Sequence, residues 1–181
     1  MKFDRVDEFL HYYVDLNYRY DILYLNDKEM YKDLFEYAHA RKANPIYQAL
    51  LGYLYKYGEG VEKNLVASFE WFYKASSGGH GYAMYELGLM YEKGNCIQQD
   101  FNQAFSWYSK ASELGVDAAI NNLGLFYEKG IACTQNMEYA FNLYLKAAEL
   151  GNKSAITNVA LCYRMGKGVG LDYAKSFSWY K

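Results

Sequence analysis

The stretch ELGLMYEKG at residues 86–94 returns 36 positions later as NLGLFYEKG, and that interval governs most of the chain. Steps of 36 link Leu51-Gly52, Leu87-Gly88, Leu123-Gly124 and Val159-Ala160, and then Tyr55, Tyr91, Tyr127 and Tyr163. They also link Gly58, Gly94, Gly130 and Gly166; Phe69, Phe105, Phe141 and Phe177; Trp71, Trp107, Leu143 and Trp179; and Lys74-Ala75, Lys110-Ala111 and Lys146-Ala147. A period of this length, held without slippage, marks a stack of similar supersecondary units, none of which can bury its apolar face alone.

Within each copy the spacing reads as two helices. Ala83, Leu87, Met90 and Tyr91 fall on one face of a 3.6-residue period, and Ala104, Phe105, Tyr108 and Ala111 do the same for a second helix. Gly58, Gly94, Gly130 and Gly166 stand where a left-handed C-cap is wanted, and Asn44-Pro45 reads as an N-cap followed by proline in the first helical position. Gly88 is inside a helix, where glycine costs about 1 kcal/mol against alanine. Its column holds only Gly and Ala, and the facing column, Ser68, Ala104, Ala140 and Ser176, is also small. The two helices of a pair are therefore expected to cross closely there, with aromatic columns filling the space around the crossing.

The pattern AxxxLGxxY, then G-x-G-V, then FxWYxKA resembles the Sel-one-like repeat (SLR) family, within the tetratricopeptide-like repeat superfamily. Tetratricopeptide units run to ~34 residues; the longer step and the glycine-containing loop inside the pair favour the SLR branch. The resemblance covers residues 43–181 as four repeats, 43–78, 79–114, 115–150 and 151–181, the last incomplete. It implies an all-α fold, a right-handed α-solenoid (αα superhelix) of stacked helix-turn-helix repeats with about ten helices. G-x-G survives at Gly58/Gly60 and Gly166/Gly168, whereas Cys96 and Ala132 replace the later glycine, so those two loops are expected to be shaped differently. Residues 1–42 fall outside the pattern. VDEFLHYYVDLNY and DKEMYKDLFEYAHAR both show helical apolar spacing, which suggests a degenerate pair of N-terminal capping helices over the first repeat.

Little in the sequence points to catalysis. The net charge of −2 lacks the basicity that a phosphate backbone demands, and no run approaches the ~18 apolar residues of a membrane span. Neither nucleic acid nor membrane is expected as a partner. Asp4, Arg5, Asp7 and Glu8 break the N-terminal apolar residues, so no secretory signal is read there. Cys96, Cys133 and Cys162 form no CxxC pair, which fits a reducing cytoplasm. Cys133 and Cys162 sit in apolar columns and read as small core residues, leaving Cys96 the most exposed. The resemblance adds that secreted members with a disulfide in each repeat are a different subgroup, since no copy here holds two cysteines. His11, His39 and His80 are scattered without ligand spacing, so no metal and no cofactor is expected. Ser178-Trp179-Tyr180-Lys181 matches SxxK only as part of the repeated WYxK column, Glu92 and Glu128 read as copies of one solvated column, and Asn122 and Asn158 as structural hydrogen-bonding residues. No nucleophile, base and oxyanion donor assemble, and the chain is not read as an enzyme.

By resemblance, each first helix lines a concave groove through the second, fifth, ninth and twelfth positions of its motif. The ninth positions, Tyr53, Leu89, Leu125 and Leu161, form an apolar row that either packs between neighbouring helices or carries a peptide or partner helix. Lys56, Glu92, Glu128 and Arg164 flank it on one edge, Ala49, Tyr85, Asn121 and Thr157 on the other, and Tyr82 occupies a second position. Tyr53 and Tyr85 are the expected anchors, with the charges selecting the partner. The resemblance implies a non-catalytic adaptor or scaffold that binds another protein; the alternative is a small inhibitor or immunity protein neutralising a bacterial toxin. SFSWYK stops where earlier copies continue, so Phe177, Trp179 and Tyr180 are expected to leave apolar surface open to self-association.

Overall fold

The computed structural model describes residues 14–15, 19–20 and 28–180. Among them are nine helices: α1 Lys28–Ala40, α2 Pro45–Tyr57, α3 Leu65–Ser77, α4 Gly81–Lys93, α5 Phe101–Glu113, α6 Asp117–Lys129, α7 Met137–Glu149, α8 Lys153–Met165 and α9 Tyr173–Trp179. Helices α2 to α8 are each 13 residues long, and two such helices with their two loops make up the sequence step. The expected second N-terminal helix is α1. The expected first one is not helical where it is described: β1 Val14–Asp15 pairs antiparallel with β2 Arg19–Tyr20. HYYVDLNYRY holds four tyrosines and Val14, residue types that suit a two-stranded ribbon as well as a helix face. Residues 6–13 and 16–18 lie outside the described residues.

The chain forms two compact units, divided between Gln99 and Asp100. In the first, α1 packs on α2, α2 on α3 and α3 on α4. Leu50, Leu51, Leu54, Phe72, Ala75 and Leu87 are fully or almost fully buried there. In the second unit, α5 packs on α6, α6 on α7, α7 on α8 and α8 on α9, around Ile120, Tyr144, Ala147 and Val159. Each buried Leu, Ile or Phe contributes on the order of 1.5–3 kcal/mol.

The helix pairs cross where the small columns meet. A Cβ added at Gly52 would lie 2.6 Å from the Phe72 ring, and one at Gly124 would lie 2.5 Å from the Tyr144 ring. Where the facing residue is serine, its hydroxyl donates across the crossing: Ser68 Oγ to the Gly52 carbonyl and Ser176 Oγ to the Ala160 carbonyl, each at 2.8 Å. Successive repeats are joined by rings. Phe35 meets Tyr55, Phe69 meets Tyr91, Phe105 meets Tyr127 and Phe141 meets Tyr163 edge-on, with centroids 5.3 to 5.8 Å apart.

The caps follow the repeat. Gly58, Gly94, Gly130 and Gly166 end α2, α4, α6 and α8 in the left-handed conformation, as expected. The second loop position departs from expectation. Cys96 and Ala132 keep positive φ values of 64° and 56°, close to the 69° and 68° of Gly60 and Gly168. These residues are thus held in the glycine conformation, because the αL cap just before them fixes the direction of the loop. A Cβ at Gly60 would overlap the Tyr31 carbonyl and one at Gly168 the Met137 carbonyl, so at those two sites glycine also permits close approach to the preceding helix. In the second repeat the Cys96 thiol sits 3.2 Å from the Leu65 carbonyl and donates to it.

One column, Asn44, His80, Val116 and Asn152, occupies the N-cap position of the first helices, and all but Val116 accept a backbone N–H there. His80 Nδ1 accepts from the Ala83 N–H at 3.2 Å, and burial holds the imidazole pKa down to about 4. A folded pKa below the unfolded value of about 6.5 means that the unfolded chain takes up the proton first. The associated stability is complete above pH 6.5 and is lost as pH falls toward 4, by up to about 3 kcal/mol.

Two outcomes test these assignments. Ala132→Gly relieves the left-handed strain and raises the unfolding free energy by roughly 1 kcal/mol, while Gly168→Ala lowers it by more than that, as measured by urea denaturation. His80→Asn keeps a cap of the kind found at Asn44 and Asn152 and removes the imidazole. Between pH 7 and pH 4.5 the variant therefore loses less stability than the wild-type chain in the same assay.

Candidate protein-binding surface

In the first unit the candidate strip lies on α2 and α4. Ala49 and Tyr53 are buried, at 0% and 7% exposure, so Tyr53 is a core residue and not a contact anchor. Its ring meets Phe72 edge-on at 5.3 Å and stacks on Tyr57 at 6.3 Å, because the first repeat packs an aromatic where later copies have leucine. Lys56 Nζ donates to Glu86 Oε2 at 2.6 Å, with the Glu86 side chain only 6% exposed. Burial pulls the Lys56 ammonium down, but the Glu86 charge and hydrogen bond, helped by Tyr57, outweigh it and leave its pKa raised. The pair ties α2 to α4, which removes Lys56 from the charges free to select a partner. Glu86 was missed in the sequence. Its signal is a charged residue in the column of Leu50, Asn122 and Asn158, one place before the buried LG leucine. Tyr82, Tyr85, Leu89 and Glu92 on α4 are half-buried, and the Tyr82 and Tyr85 rings meet edge-on at 5.9 Å.

In the second unit the strip lies on α6 and α8. Asn121 is 5% exposed and accepts from Asn158 Nδ2 at 2.9 Å, while its own amide reaches Asn122 Oδ1 at 3.4 Å. The structural reading of Asn122 and Asn158 holds, and Asn121 belongs to the same inter-helix tie and not to an open edge. Glu128 is likewise engaged: Tyr144 Oη donates to it at 2.7 Å and Lys167 Nζ at 3.2 Å. Burial first, then Glu128, pushes the Tyr144 phenol up. The buried Cys162 thiol is pushed up to about 11 by burial and by Glu128, against the opposing charge of Lys167, so it is a poor nucleophile. Glu128 is thus a bridging residue and not a freely solvated carboxylate. Leu125 and Leu161 are half-buried, while Thr157 and Arg164 are exposed.

The remaining sequence candidates are placed as follows. Cys96 is exposed, Cys133 half-buried and Cys162 buried, all as free thiols. Ser178 Oγ donates to the Lys175 carbonyl at 2.7 Å, as helix serines do, and Lys181 lies outside the described residues. His39 stacks on Phe35 at 5.9 Å, and His11 lies outside the described residues. Phe177 and Tyr180 are 63% and 51% exposed, with Trp179 half-buried. Among the described residues no three His, Cys, Asp or Glu side chains converge, and no helix is long and apolar enough to cross a membrane.

The family model of the Sel1 repeat matches residues 45–80, 81–116, 117–152 and 153–181. Among solved structures, a Sel1 repeat protein from Oxalobacter formigenes is 34% identical with a TM-score of 0.79, over 84% of this chain and 61% of that one. A protective antigen of uropathogenic Escherichia coli strains, displaying an SLR fold, is 33% identical with a TM-score of 0.75, over 81% of this chain and 32% of that one. Cysteine rich protein B of Helicobacter pylori is 25% identical with a TM-score of 0.57, over 68% of this chain and 93% of that one. This chain therefore spans about three fifths of the first relative and a third of the second. No curated protein matches it. Four repeat matches and these neighbours give an all-α solenoid, and the chain belongs to the Sel1 repeat family.

Proposed function

We propose that this chain is a non-catalytic interaction module, an adaptor or scaffold, which holds a segment of another protein against the exposed faces of its first helices. Sel1 repeat proteins generally serve as interaction scaffolds, which supports the class. The observation that carries the reading for this chain is a division of labour along each first helix. Leu87, Leu123 and Val159 are 0 to 5% exposed and already do the packing between helices. Leu89, Leu125 and Leu161, two residues further on, remain half-buried and accessible. Leu125 also packs against the core cluster of the second unit, whereas Leu89 in the first unit and Leu161 in the second are half-buried apolar side chains that a partner can cover.

In the first unit Tyr82 and Tyr85 stand beside Leu89 on α4, and in the second Thr157 and Arg164 give Leu161 on α8 a polar border. Ala49, Tyr53, Lys56, Asn121 and Glu128 act on the partner only through the helices they position. Helix α1 serves as the N-terminal cap of the first repeat; the edge-on contact of Phe35 with Tyr55 supports that role. Three free thiols suit a reducing compartment such as the cytoplasm.

Panning a displayed peptide library on the full chain, followed by calorimetry with the selected peptide, tests the reading. Tyr85→Ala weakens binding of peptides seated on the first unit and Leu161→Ala that of peptides seated on the second, each by about tenfold or more, whereas Tyr53→Ala lowers the melting temperature, and Glu149→Ala changes neither. Selected peptides that bind folded Tyr85→Ala and Leu161→Ala as tightly as wild type assign the partner to another surface.

A further inference from the structure

The second unit carries a cleft that the first-helix strip does not involve. It has a volume of about 330 Å³ and lies between α5 and α7 over α6, with Ile120, Leu123, Tyr127, Tyr139, Leu143 and Lys146 in its lining. That volume falls within the range of small-ligand sites, about 300–1,000 Å³. Buried Ile120 and Leu123, 0% and 5% exposed, lie beneath it, and serine, glutamate and lysine side chains contribute to its rim. One wall is aromatic: Tyr127 and Tyr139 meet edge-on with centroids 4.6 Å apart.

The repeat explains why there is space here. Leu143 stands in the column of Trp71, Trp107 and Trp179, and the third repeat is the copy without tryptophan. In the fourth repeat the indole is present, and Trp179 packs, partly buried, against the cluster that contains Ala148 and Val159. These two residues correspond by the 36-residue step to Ser112 and Leu123 of the cleft. The cation partner of the indole has meanwhile been kept. Lys74 Nζ lies 4.4 Å from the Trp71 ring and Lys110 Nζ lies 4.3 Å from the Trp107 ring, in the same i, i+3 relation that Lys146 has to Leu143.

We infer that this cleft takes an indole side chain from outside the chain, a tryptophan of a partner protein, in the place that corresponds to Trp179 of the fourth repeat. Three features of the lining suit that ligand. Ile120, Leu123 and Leu143 desolvate the ring, the Tyr127–Tyr139 pair offers an edge-on aromatic contact, and Lys146 supplies a cation for its face, as Lys74 and Lys110 do for Trp71 and Trp107. Glu113, Ser109 and Ser112 also line the cleft, and their oxygens are acceptors for the indole N–H. The site is lined by residues other than Leu125 on α6 and Leu161 on α8 and selects a residue type that those leucines do not.

The test is titration of the full chain with N-acetyl-tryptophanamide, followed by two-dimensional NMR. Saturable shifts are expected at Ile120, Leu123, Tyr127, Tyr139 and Leu143, with N-acetyl-leucinamide binding more weakly. Leu143→Trp fills the cleft with the residue of its own column and weakens binding by about tenfold or more. Lys146→Gln weakens it by about two- to fivefold. Leu143→Phe provides a second way of filling the cleft should Leu143→Trp not fold. Absence of saturable shifts at these residues in the wild-type chain overturns the inference. So does equal affinity in a folded filled-cleft variant, or binding of the leucine amide as strong as that of the tryptophan amide.

Discussion

The close crossing within each helix pair is the constraint on which the other contacts depend. Backbones approach at Gly52 and Gly124 until the rings of Phe72 and Tyr144 lie against bare α-carbons. Ser68 and Ser176 hydroxyls then reach the facing carbonyls. Glycine inside a helix is unfavourable by about 1 kcal/mol, so its presence requires a packing return, and the fully buried rings are that return. Once the pair is locked, the second helix presents its Phe edge to the next first helix at a fixed height, which sets the ring contacts that repeat along each unit.

The same geometry decides which polar residues remain for a partner. First helices of successive repeats lie near enough for side chains to bridge them, as Lys56 does to Glu86 and Asn158 to Asn121. Buried or half-buried ties of this kind cost much to break and little to keep, so they belong to the scaffold. Leu89 and Leu161 make no such polar tie, while Leu125 is shared with the core cluster of the second unit. The division between scaffold and surface therefore follows from the distance between neighbouring first helices.

Much of this was legible in the residues, because a repeat reports each structural requirement several times. The αL caps and the close crossing follow from columns that hold one residue type or one size, and α1 from helical apolar spacing. Burial along the twelfth and fifth positions was not legible. Lys56, Glu128 and Asn121 look like surface residues in one helix, and their partners come from elsewhere: Glu86 and Asn158 from another first helix, Lys167 from the loop after α8. Tyr53 misled for a related reason: it stands in a leucine column, and only the edge-on contact with Phe72 turns it inward. Cys96 and Ala132 suggested altered loops, but the conformation is imposed by the preceding glycine cap, and the substituted residue bears the strain. The cleft beside Leu143 was visible as a departure in a tryptophan column, yet its meaning required knowing that the column faces a neighbouring helix.

The central claim is that the glycine column exists for the crossing and not for local backbone freedom. Gly124 has helical dihedrals, so intrinsic propensity alone favours Gly124→Ala by about 1 kcal/mol. The crossing opposes it, since the new methyl would lie 2.5 Å from the ring of Tyr144, which is fully buried and hydrogen-bonded to Glu128. The unfolding free energy of Gly124→Ala, measured by urea denaturation against wild type, separates the two by sign. The account predicts a loss of roughly 1–3 kcal/mol. An unchanged or increased stability contradicts it.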